Sequence, residues 1–236
     1  MDTSDVGLRG EYTAAVLDLY RNREVEHIPS ECFQSPTVQS EALTCSLIEA
    51  VVDWLHYLGV AEEIETKDLG NLGHELKVTS HNADKPHDLT HVGVGVSQVL
   101  PILVTSLLAE ADTVLIFEQP ELHLHPRVQS RLADFFLSMS LLEKQCLIET
   151  HSEHLINRLR LRVASSPDEL LSSTIKMYFV ERTKEGSSFR PVEINEYGAI
   201  PDWPEGFFDQ SQHEAEEILK AAMAKRRNER ESNDRV

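Results

Sequence analysis

The 236 residues allow one large domain or two small ones, and a hydrophobic fraction of 41% is enough for a core. The net charge of −18 argues against unaided, non-specific binding along nucleic acid, because phosphates are neutralised by clustered basic residues and the only dense basic run is Lys225-Arg226-Arg227. Three distant cysteines, no apolar leader and no long apolar run predict a cytoplasmic chain with reduced thiols and no membrane span.

The first predicted helix runs from Thr37 to Gly59, because its apolar residues recur at helical spacing. Residues 60–92 are polar and predict loops with short strands, one of them at residues 75–80. Three histidines fall in these loops and are expected to be solvated: His81, His87 and His91.

The middle of the chain alternates helices with two short apolar strands, and their composition predicts that both strands are buried. One helix is predicted after residues 93–97 and ends at about Ala109, and a second covers Pro126–Leu142. A third covers residues 153–164, with Ser152 as its cap. The strands are predicted over Thr113–Phe117 and Gln145–Glu149. This alternation predicts an α/β fold with parallel strands and flanking helices. A small hairpin (Ile175–Glu181 with Phe189–Ile194) and a charged helix from Gln212, fraying near Arg230, should follow.

Glu118 ends the first of these strands, within VLIFEQPELHLHP (residues 114–126). Sites in parallel sheets form at the carboxyl ends of strands, and an acid there can hold Mg²⁺ through water. A strand-end acid that caps a neighbouring loop is the alternative for Glu118 alone.

The second strand leads into His151, within CLIETHS (residues 146–152). If the two strands are neighbours, His151 lies near the same crevice as the first strand end, where it can sense or hydrogen-bond a γ-phosphate. A structural role is the alternative for this histidine as well.

A glycine-rich stretch, GVGVSQ (residues 93–98), opens an apolar helix. The amides and dipole of a helix N-terminus favour an anion, and Ser97 adds a hydroxyl, so the stretch is a candidate phosphate-docking end. A simple turn into a core helix is the alternative.

Two further features carry less chemistry. His123 and His125 could share a zinc ion, but no third ligand follows at a recognisable spacing. Asn157 and Arg158 are predicted to be surface or sheet-packing residues.

In this order and spacing, the motifs resemble the C-terminal part of an ABC-type ATPase head. The resemblance is to the OLD/SMC-like branch of prokaryotic AAA proteins, and within it to ATPases with a C-terminal domain of unknown function. GVGVSQVLP resembles the signature motif, LIFEQPELHLHP resembles the Walker B and D-loop region, and ETHSEHL resembles the switch-histidine motif. The segments GLRGEY near the start and WPEGFFD at residues 203–209 also resemble this group. The resemblance therefore covers about residues 5–212.

The resemblance implies a partial ABC-type head in three parts. These are a helical and irregular N-terminal part (1–92), an α/β core with signature, Walker B and switch histidine (93–172), and a C-terminal part with the hairpin, WPEGFFD and the charged tail (173–236). It also implies ATP and Mg²⁺ as cofactors. Glu118 would organise Mg²⁺, His151 would be the switch, and the signature residues Gly93, Gly95, Ser97 and Gln98 would bind the nucleotide, with Ser97 touching a γ-phosphate held on a partner head.

Two departures from the family pattern matter. The 236 residues contain no G-x-x-x-x-G-K-[ST] loop, whose amides and lysine supply most nucleotide binding, so the chain alone should bind ATP weakly or not at all. Gln119 stands where the family carries its catalytic glutamate, and an amide can position water but cannot take its proton. Glu121 is the candidate replacement base.

The leading hypothesis is therefore a subunit or half of a split ABC/OLD-like ATPase. It would share ATP sites with a Walker A-bearing half or homologous head, form an oligomer, contact DNA only through the complex, and gate an effector such as a nuclease in anti-phage defence. One alternative is a non-catalytic pseudo-ATPase scaffold that only assembles partner proteins. A more distant alternative is metal-dependent hydrolysis by the His123/His125 pair.

Overall fold

Helices and short strands alternate along the chain in the computed structural model. The residues described are 5–38, 41–80, 85–88, 94–167, 170–184, 186–204, 206, 208 and 210–233. The chain divides into two units: unit 1 comprises residues 1–169 and 196–198, and unit 2 comprises residues 170–195 and 199–236. Residues 1–92 and 93–169 thus belong to the same unit.

Unit 1 contains most of the regular structure. Its helices are α1 (Thr13–Tyr20), α2 (Leu47–Leu58), α3 (Val94–Leu108), α4 (Pro126–Leu141) and α5 (Glu153–Ser165). Its strands are β1 (Glu24–His27), β2 (Leu43–Ser46), β3 (Glu63–Asp68), β4 (His74–Thr79), β5 (His87–Asp88), β6 (Val114–Glu118) and β7 (Gln145–Glu149), with 3₁₀ turns at Ser30–Phe33 and Gly70–Leu72.

The helix predicted from Thr37 begins only at Leu47, so the predicted start was wrong. Residues 43–46 form β2 instead, which pairs antiparallel with β1. A capping box fixes the start of α2: the Ser46 amide donates to Glu49 Oε2 at 2.9 Å. Periodicity alone missed this start because apolar residues of the preceding segment fit the helical repeat. The predicted end is confirmed, with Gly59 at φ 74°.

The strands β3, β4 and β5 form a small antiparallel sheet in that order. The strand predicted at residues 75–80 is confirmed as β4, and β3 is an additional strand that pairs with it along its whole length. His87 is exposed, as expected, although it lies in the two-residue strand β5. His81 and His91 lie outside the described residues.

The predicted parallel strand pair is confirmed. β6 and β7 run parallel, with Val114 opposite Gln145 and Glu118 opposite Glu149. The helices predicted before, between and after these strands along the chain are present as α3, α4 and α5. Ser152 caps α5 by accepting a hydrogen bond from the Leu155 amide at 3.1 Å. The fold class is α/β, with parallel strands and flanking helices, as the sequence predicts.

One face of this strand pair is open, so the prediction that both strands are buried is wrong for this face. Val114, Ile116 and Leu147 are 54%, 68% and 59% exposed, and in the described part of the chain β6 and β7 pair only with each other. On the other face Leu115 is buried, and Phe117 packs on Phe136 of α4 with ring centroids 5.1 Å apart. Among the described residues, the pair is therefore covered on one face only.

The core of unit 1 centres on α2. Trp54 is fully buried and makes edge or tilted ring contacts with Phe33, Tyr57 and Phe135, at centroid distances of 5.5, 5.6 and 5.1 Å. These contacts join α2 to α4 and to the 3₁₀ turn before β2. Aromatic clusters of this kind supply more stabilisation than their buried area alone.

A buried charge network lies beside these aromatic rings. Asp134 on α4 is 0% exposed, and its carboxylate accepts hydrogen bonds from Arg162 Nε (2.7 Å), Arg158 Nε (2.9 Å) and the Tyr57 hydroxyl (2.5 Å). Burial and the Asp134 carboxylate raise the pKa of Tyr57 to about 12, so the phenol remains a hydrogen-bond donor. Arg158 is thus a partly buried ion-pair partner, which corrects its prediction as a surface or sheet-packing residue.

Asp53 on α2 is a half-buried carboxylate that contacts Ser30 and His27. It accepts hydrogen bonds from the Ser30 amide (2.8 Å) and hydroxyl (2.7 Å), and it pairs with His27 Nε2 at 2.8 Å. Burial acts to raise the pKa of Asp53, but these hydrogen bonds and the His27 charge outweigh it and leave the pKa below its ordinary value.

The stabilisation from Asp53 is complete above the unfolded pKa, about 3.9, and is lost as the pH falls through the lower folded pKa. We expect the free energy of unfolding to decrease in this acid range and Asp53→Asn to flatten the decrease. Urea unfolding between about pH 7 and pH 2.5 tests this, with Glu110→Gln at an exposed position as the control. Equal pH dependence of the wild type and Asp53→Asn would contradict the assignment.

The GLRGEY segment packs on α3. Gly10 has φ 73°, and a Cβ at this position would collide with the ring of Pro101 inside α3. Only glycine combines this left-handed backbone with so close an approach. The segment thus has a packing role in unit 1.

Unit 2 contains α6 (Leu170–Thr174), β8 (Met177–Thr183), β9 (Gly186–Val192) and α7 (Gln210–Asn233). The predicted hairpin is confirmed: β8 and β9 are antiparallel, with Thr183 opposite Gly186. The predicted charged helix is also present as α7, and it begins two residues earlier than expected. Among the described residues, no helix combines the length and apolarity needed to cross a bilayer.

Candidate functional site

The carboxyl ends of β6 and β7 bring together several of the predicted site residues. Glu118 and Glu149 end the two strands and stand directly opposite each other in the parallel register. Gln119 follows β6 and His151 lies two residues beyond β7. Two exposed carboxylates, an amide and an imidazole therefore share one edge of the sheet.

Glu149 is the residue at this edge that the sequence analysis missed. Its Oε1 accepts a hydrogen bond from Gln119 Nε2 at 3.4 Å and lies 3.9 Å from His151 Nε2. Gln119 is fixed to the same residue by its backbone, because its amide donates to the Glu149 carbonyl at 2.9 Å with φ 46°. A signal existed in the sequence: both strands are short apolar runs that end in glutamate.

Glu121 occupies a different environment from the other two carboxylates. It is only 6% exposed, and its Oε1 accepts a hydrogen bond from the His151 amide at 2.5 Å. Its Oε2 is buried and has no hydrogen-bond partner among the described residues. This placement suits a residue that positions the His151 loop better than one that exchanges protons with solvent.

A second connection holds the loops after β6 and β7 together. Gln129 Nε2 donates to the Leu124 carbonyl at 2.9 Å, and Gln129 Oε1 accepts from the Ser152 hydroxyl at 2.7 Å. Ser152 therefore caps α5 and anchors the loop that carries His151. With the Glu121 contact, these bonds fix the loop after β6 relative to the loop after β7.

The GVGVSQ segment forms the start of α3. The described part of the helix begins at Val94, so Ser97 lies in its first turn and is exposed, while Gln98 is half-buried. A Cβ on Gly95 would lie 3.7 Å from Leu124 Cδ2, which places this first turn beside the loop after β6. Gly93 lies outside the described residues.

The His-x-His segment has a structural function. His125 is the N-cap of α4, and its Nδ1 accepts a hydrogen bond from the Arg127 amide at 3.2 Å. His123 adopts a left-handed backbone with φ 60°. Within the described ranges, no three His, Cys, Asp or Glu side chains are arranged to hold a metal by themselves.

The donor set at the strand ends fits Mg²⁺. This ion is usually held by one or two carboxylates together with waters and substrate phosphates. Glu118 supplies an exposed carboxylate at the end of β6, and a nucleotide would supply the phosphates. The edge is otherwise acidic, so phosphates need added positive charge to bind there.

Comparison with known families identifies the family to which the chain belongs. A family model described as the AAA ATPase domain matches residues 36–156, more than half of the chain and the whole of the strand-end site. The chain belongs to the AAA ATPase domain family. This places it among nucleotide-binding ATPases, for which Mg²⁺ is the typical metal. A second model, described as a protein of unknown function (DUF3696), matches residues 171–218.

Solved structures similar to this AAA ATPase chain include heads of SMC proteins. One is from a study of the ATP-driven dimerization and DNA-stimulated activation of SMC ATPases. It is 13% identical to this chain, with a TM-score of 0.45, and the match covers 62% of this chain and 83% of that one. An Smc head bound to the C-terminal winged-helix domain of ScpA is 11% identical, with a TM-score of 0.45 and coverage of 62% and 43%.

A third structure is the Smc head with an extended coiled coil bound to the C-terminal domain of ScpA from Pyrococcus furiosus. It is 11% identical, with a TM-score of 0.44 and coverage of 73% of this chain and 37% of that one. The AAA ATPase chain thus spans less than half the length of these last two proteins. No curated protein matches it.

Proposed function

We propose that this chain is one half of a composite ATPase, which forms ATP sites with a Walker A-bearing half. The observation that carries the proposal is the half-open parallel sheet, whose apolar residues Val114, Ile116 and Leu147 are exposed beside the strand-end acids. Parallel sheets are normally covered on both faces, and two strands alone are rarely stable. A complementary half that adds strands to this sheet and packs helices on its open face would cover the exposed residues.

The charges at the strand ends support the same conclusion. Glu118, Glu149 and the buried Glu121 repel the phosphates of ATP unless cations compensate them. A glycine-rich phosphate loop would supply a lysine and a nest of amides, and the 236 residues contain no such loop. The complementary half can be a second polypeptide or another part of a longer chain.

Within the assembled site, Glu118 would orient Mg²⁺, and His151 would hydrogen-bond the γ-phosphate as the switch. Ser97, exposed in the first turn of α3 beside the loop after β6, would reach a γ-phosphate bound on a partner head. Gly95 and Gln98 belong to the same helix, and Gly93 precedes them in the proposed signature motif. Helix N-termini favour phosphate through their free amides and dipole. Such a site forms only when two heads meet, so ATP would control oligomerisation.

We further propose that nucleotide-driven assembly in the cytoplasm gates an effector such as a nuclease, in anti-phage defence, with DNA contacted only through the complex. This step rests on analogy with the OLD/SMC-like branch. The net charge of −18 is compatible with an effector or partner that has a basic docking surface.

A non-catalytic scaffold is the second candidate function. Gln119 favours it, because this amide occupies the position of the usual catalytic acid and cannot accept a proton. A scaffold would bind the same complementary half through the same open sheet face. It would differ from the ATPase only in turnover, so turnover is the measurement that separates the two functions.

The deciding experiment measures ATP turnover by the chain alone and with its complementary half. That half is the polypeptide encoded beside it that carries G-x-x-x-x-G-K-[ST], or the remainder of the full protein. We expect no turnover by the chain alone and Mg²⁺-dependent turnover by the assembly. An assembly that forms but releases no phosphate would support the scaffold. Absence of any assembly would contradict both functions.

A further inference from the structure

We propose that Glu149 is the proton acceptor for ATP hydrolysis and takes the place of the acid that is missing at Gln119. The proposal rests on the composite ATPase described above. It assigns a catalytic function to a residue at the end of the second strand, β7, whereas the sequence motif draws attention to the end of the first strand.

The geometry places Glu149 where a replacement acid is needed. It stands opposite Glu118 in the parallel register, so the side chains of both residues lie at the same edge of the sheet. Its Oε1 accepts a hydrogen bond from Gln119 Nε2 at 3.4 Å, which ties the amide to the carboxylate beside it. The pair Gln119–Glu149 therefore presents an acid next to the position where the family motif usually provides one.

The other nearby groups are less suited to accept the proton. Gln119 is an amide and has no basic site at neutral pH. Glu121 is 6% exposed, and one of its oxygens is held by the His151 amide, so water reaches it poorly. The Glu118 carboxylate is assigned to Mg²⁺, and a carboxylate that serves a cation is a weaker base. Glu149 is exposed and keeps access to solvent.

His151 completes the arrangement. Its Nε2 lies 3.9 Å from Glu149 Oε1, while its backbone is fixed by Glu121. The imidazole and the carboxylate are thus held as neighbours by contacts outside the reacting groups. A γ-phosphate near His151 would therefore also lie near Glu149, which is the geometry that a general base requires.

The proposed step balances as an ordinary hydrolysis. A water oxygen forms a bond to the γ-phosphorus while the bond from that phosphorus to the β–γ bridging oxygen breaks. The proton of the water passes to a Glu149 oxygen, and the bond electrons remain on the departing ADP. Glu149 then returns the proton to solvent, which its exposure allows.

Glu149→Gln in the assembled ATPase is the direct test. We expect kcat to fall by about 10²–10⁴-fold, the usual contribution of a general base. KM for ATP and the affinity for a non-hydrolysable ATP analogue should stay within about twofold, because binding does not use the proton acceptor. The exposed side chain should also leave the unfolding temperature unchanged. Glu110→Gln is the matched exposed control and should retain full turnover.

A rescue variant separates proton transfer from other functions of Glu149. Gln119→Glu combined with Glu149→Gln exchanges acid and amide between two hydrogen-bonded positions, and we expect it to recover turnover by at least about tenfold over Glu149→Gln alone. Normal kcat in Glu149→Gln, lost analogue affinity in that variant, or no recovery in the exchange would each overturn the assignment and leave the composite ATPase intact. No turnover by the wild-type assembly would overturn both.

Discussion

Asp134→Ala is expected to lower the free energy of unfolding of unit 1 by about 3–5 kcal/mol, because removing one partner of a buried ion network leaves the others uncompensated. Asp134 is the shared acceptor of Arg158, Arg162 and Tyr57. Arg162 is itself only 1% exposed, so its charge cannot reach water after the substitution. Typical domains have only about 5–15 kcal/mol of stability, so this loss is large.

The network also fixes the chain before β2. Arg162 Nη1 donates hydrogen bonds to the Pro36 carbonyl at 2.8 Å and to the Ser35 carbonyl, and its Nη2 donates to the Phe33 carbonyl. Its guanidinium lies 5.4 Å from the centroid of the Phe33 ring. Losing Asp134 should therefore loosen residues 33–36 as well as α4 and α5, and hydrogen exchange of the amides in that segment should accelerate.

Urea unfolding at neutral pH measures the effect, with Glu110→Ala at an exposed position as the control. The control should change stability by no more than about 0.5 kcal/mol. A loss below about 1 kcal/mol for Asp134→Ala would contradict the network's importance. Arg158→Ala should lower the free energy of unfolding less than Asp134→Ala does, because Arg158 is partly exposed and Arg162 would still pair with the Asp134 carboxylate.

The parallel strands were predictable because each is marked by a short run of consecutive residues in the sequence. A buried strand of a parallel sheet is a short apolar run, and the runs before Glu118 and Glu149 have that composition. The order strand, helix, strand then fixes a parallel pairing, so the two strand ends must meet at one edge. Glu118 and His151 could be placed together from the sequence for this reason.

The contacts between the loops could not be predicted in the same way. Glu121 binding the His151 amide and Gln129 bridging Leu124 to Ser152 depend on how α4 and α5 pack, and no local pattern encodes them. The start of α2 was misplaced for a related reason: the capping box at Ser46 outweighs a longer apolar periodicity. Side-chain hydrogen bonds of single residues decided both features.

The two strand-end glutamates differ in what surrounds them. Glu149 has the Gln119 amide and His151 as neighbours, so its carboxylate is oriented by hydrogen-bonding groups. Glu118, which we propose orients Mg²⁺, precedes Gln119 at the end of β6, and its side chain is exposed there. Substitutions at the two positions should therefore have different kinetic signatures: a metal-dependent one at Glu118 and a metal-independent one at Glu149.

Glu118→Gln is expected to reduce ATP turnover by the assembled complex on the order of 10²–10³-fold at ordinary Mg²⁺ concentrations. The substitution removes the charge that orients the cation, and a metal ion contributes several kcal/mol of transition-state stabilisation, which corresponds to that range. Glutamine keeps the size of the side chain at an exposed position, so the unfolding temperature should remain the same. Phosphate release measured over a series of Mg²⁺ concentrations tests this prediction.

The Mg²⁺ series distinguishes this variant from Glu149→Gln. Weaker cation binding should move the Mg²⁺ midpoint of Glu118→Gln upward, and excess Mg²⁺ should recover part of the rate, whereas Glu149→Gln should keep the wild-type midpoint at a lower maximal rate. Glu110→Gln serves again as the exposed control and should match the wild type in both quantities. Wild-type turnover by Glu118→Gln at limiting Mg²⁺ would show that this carboxylate does not bind the cation. Equal Mg²⁺ midpoints for Glu118→Gln and Glu149→Gln would contradict the proposed division between metal binding and proton transfer.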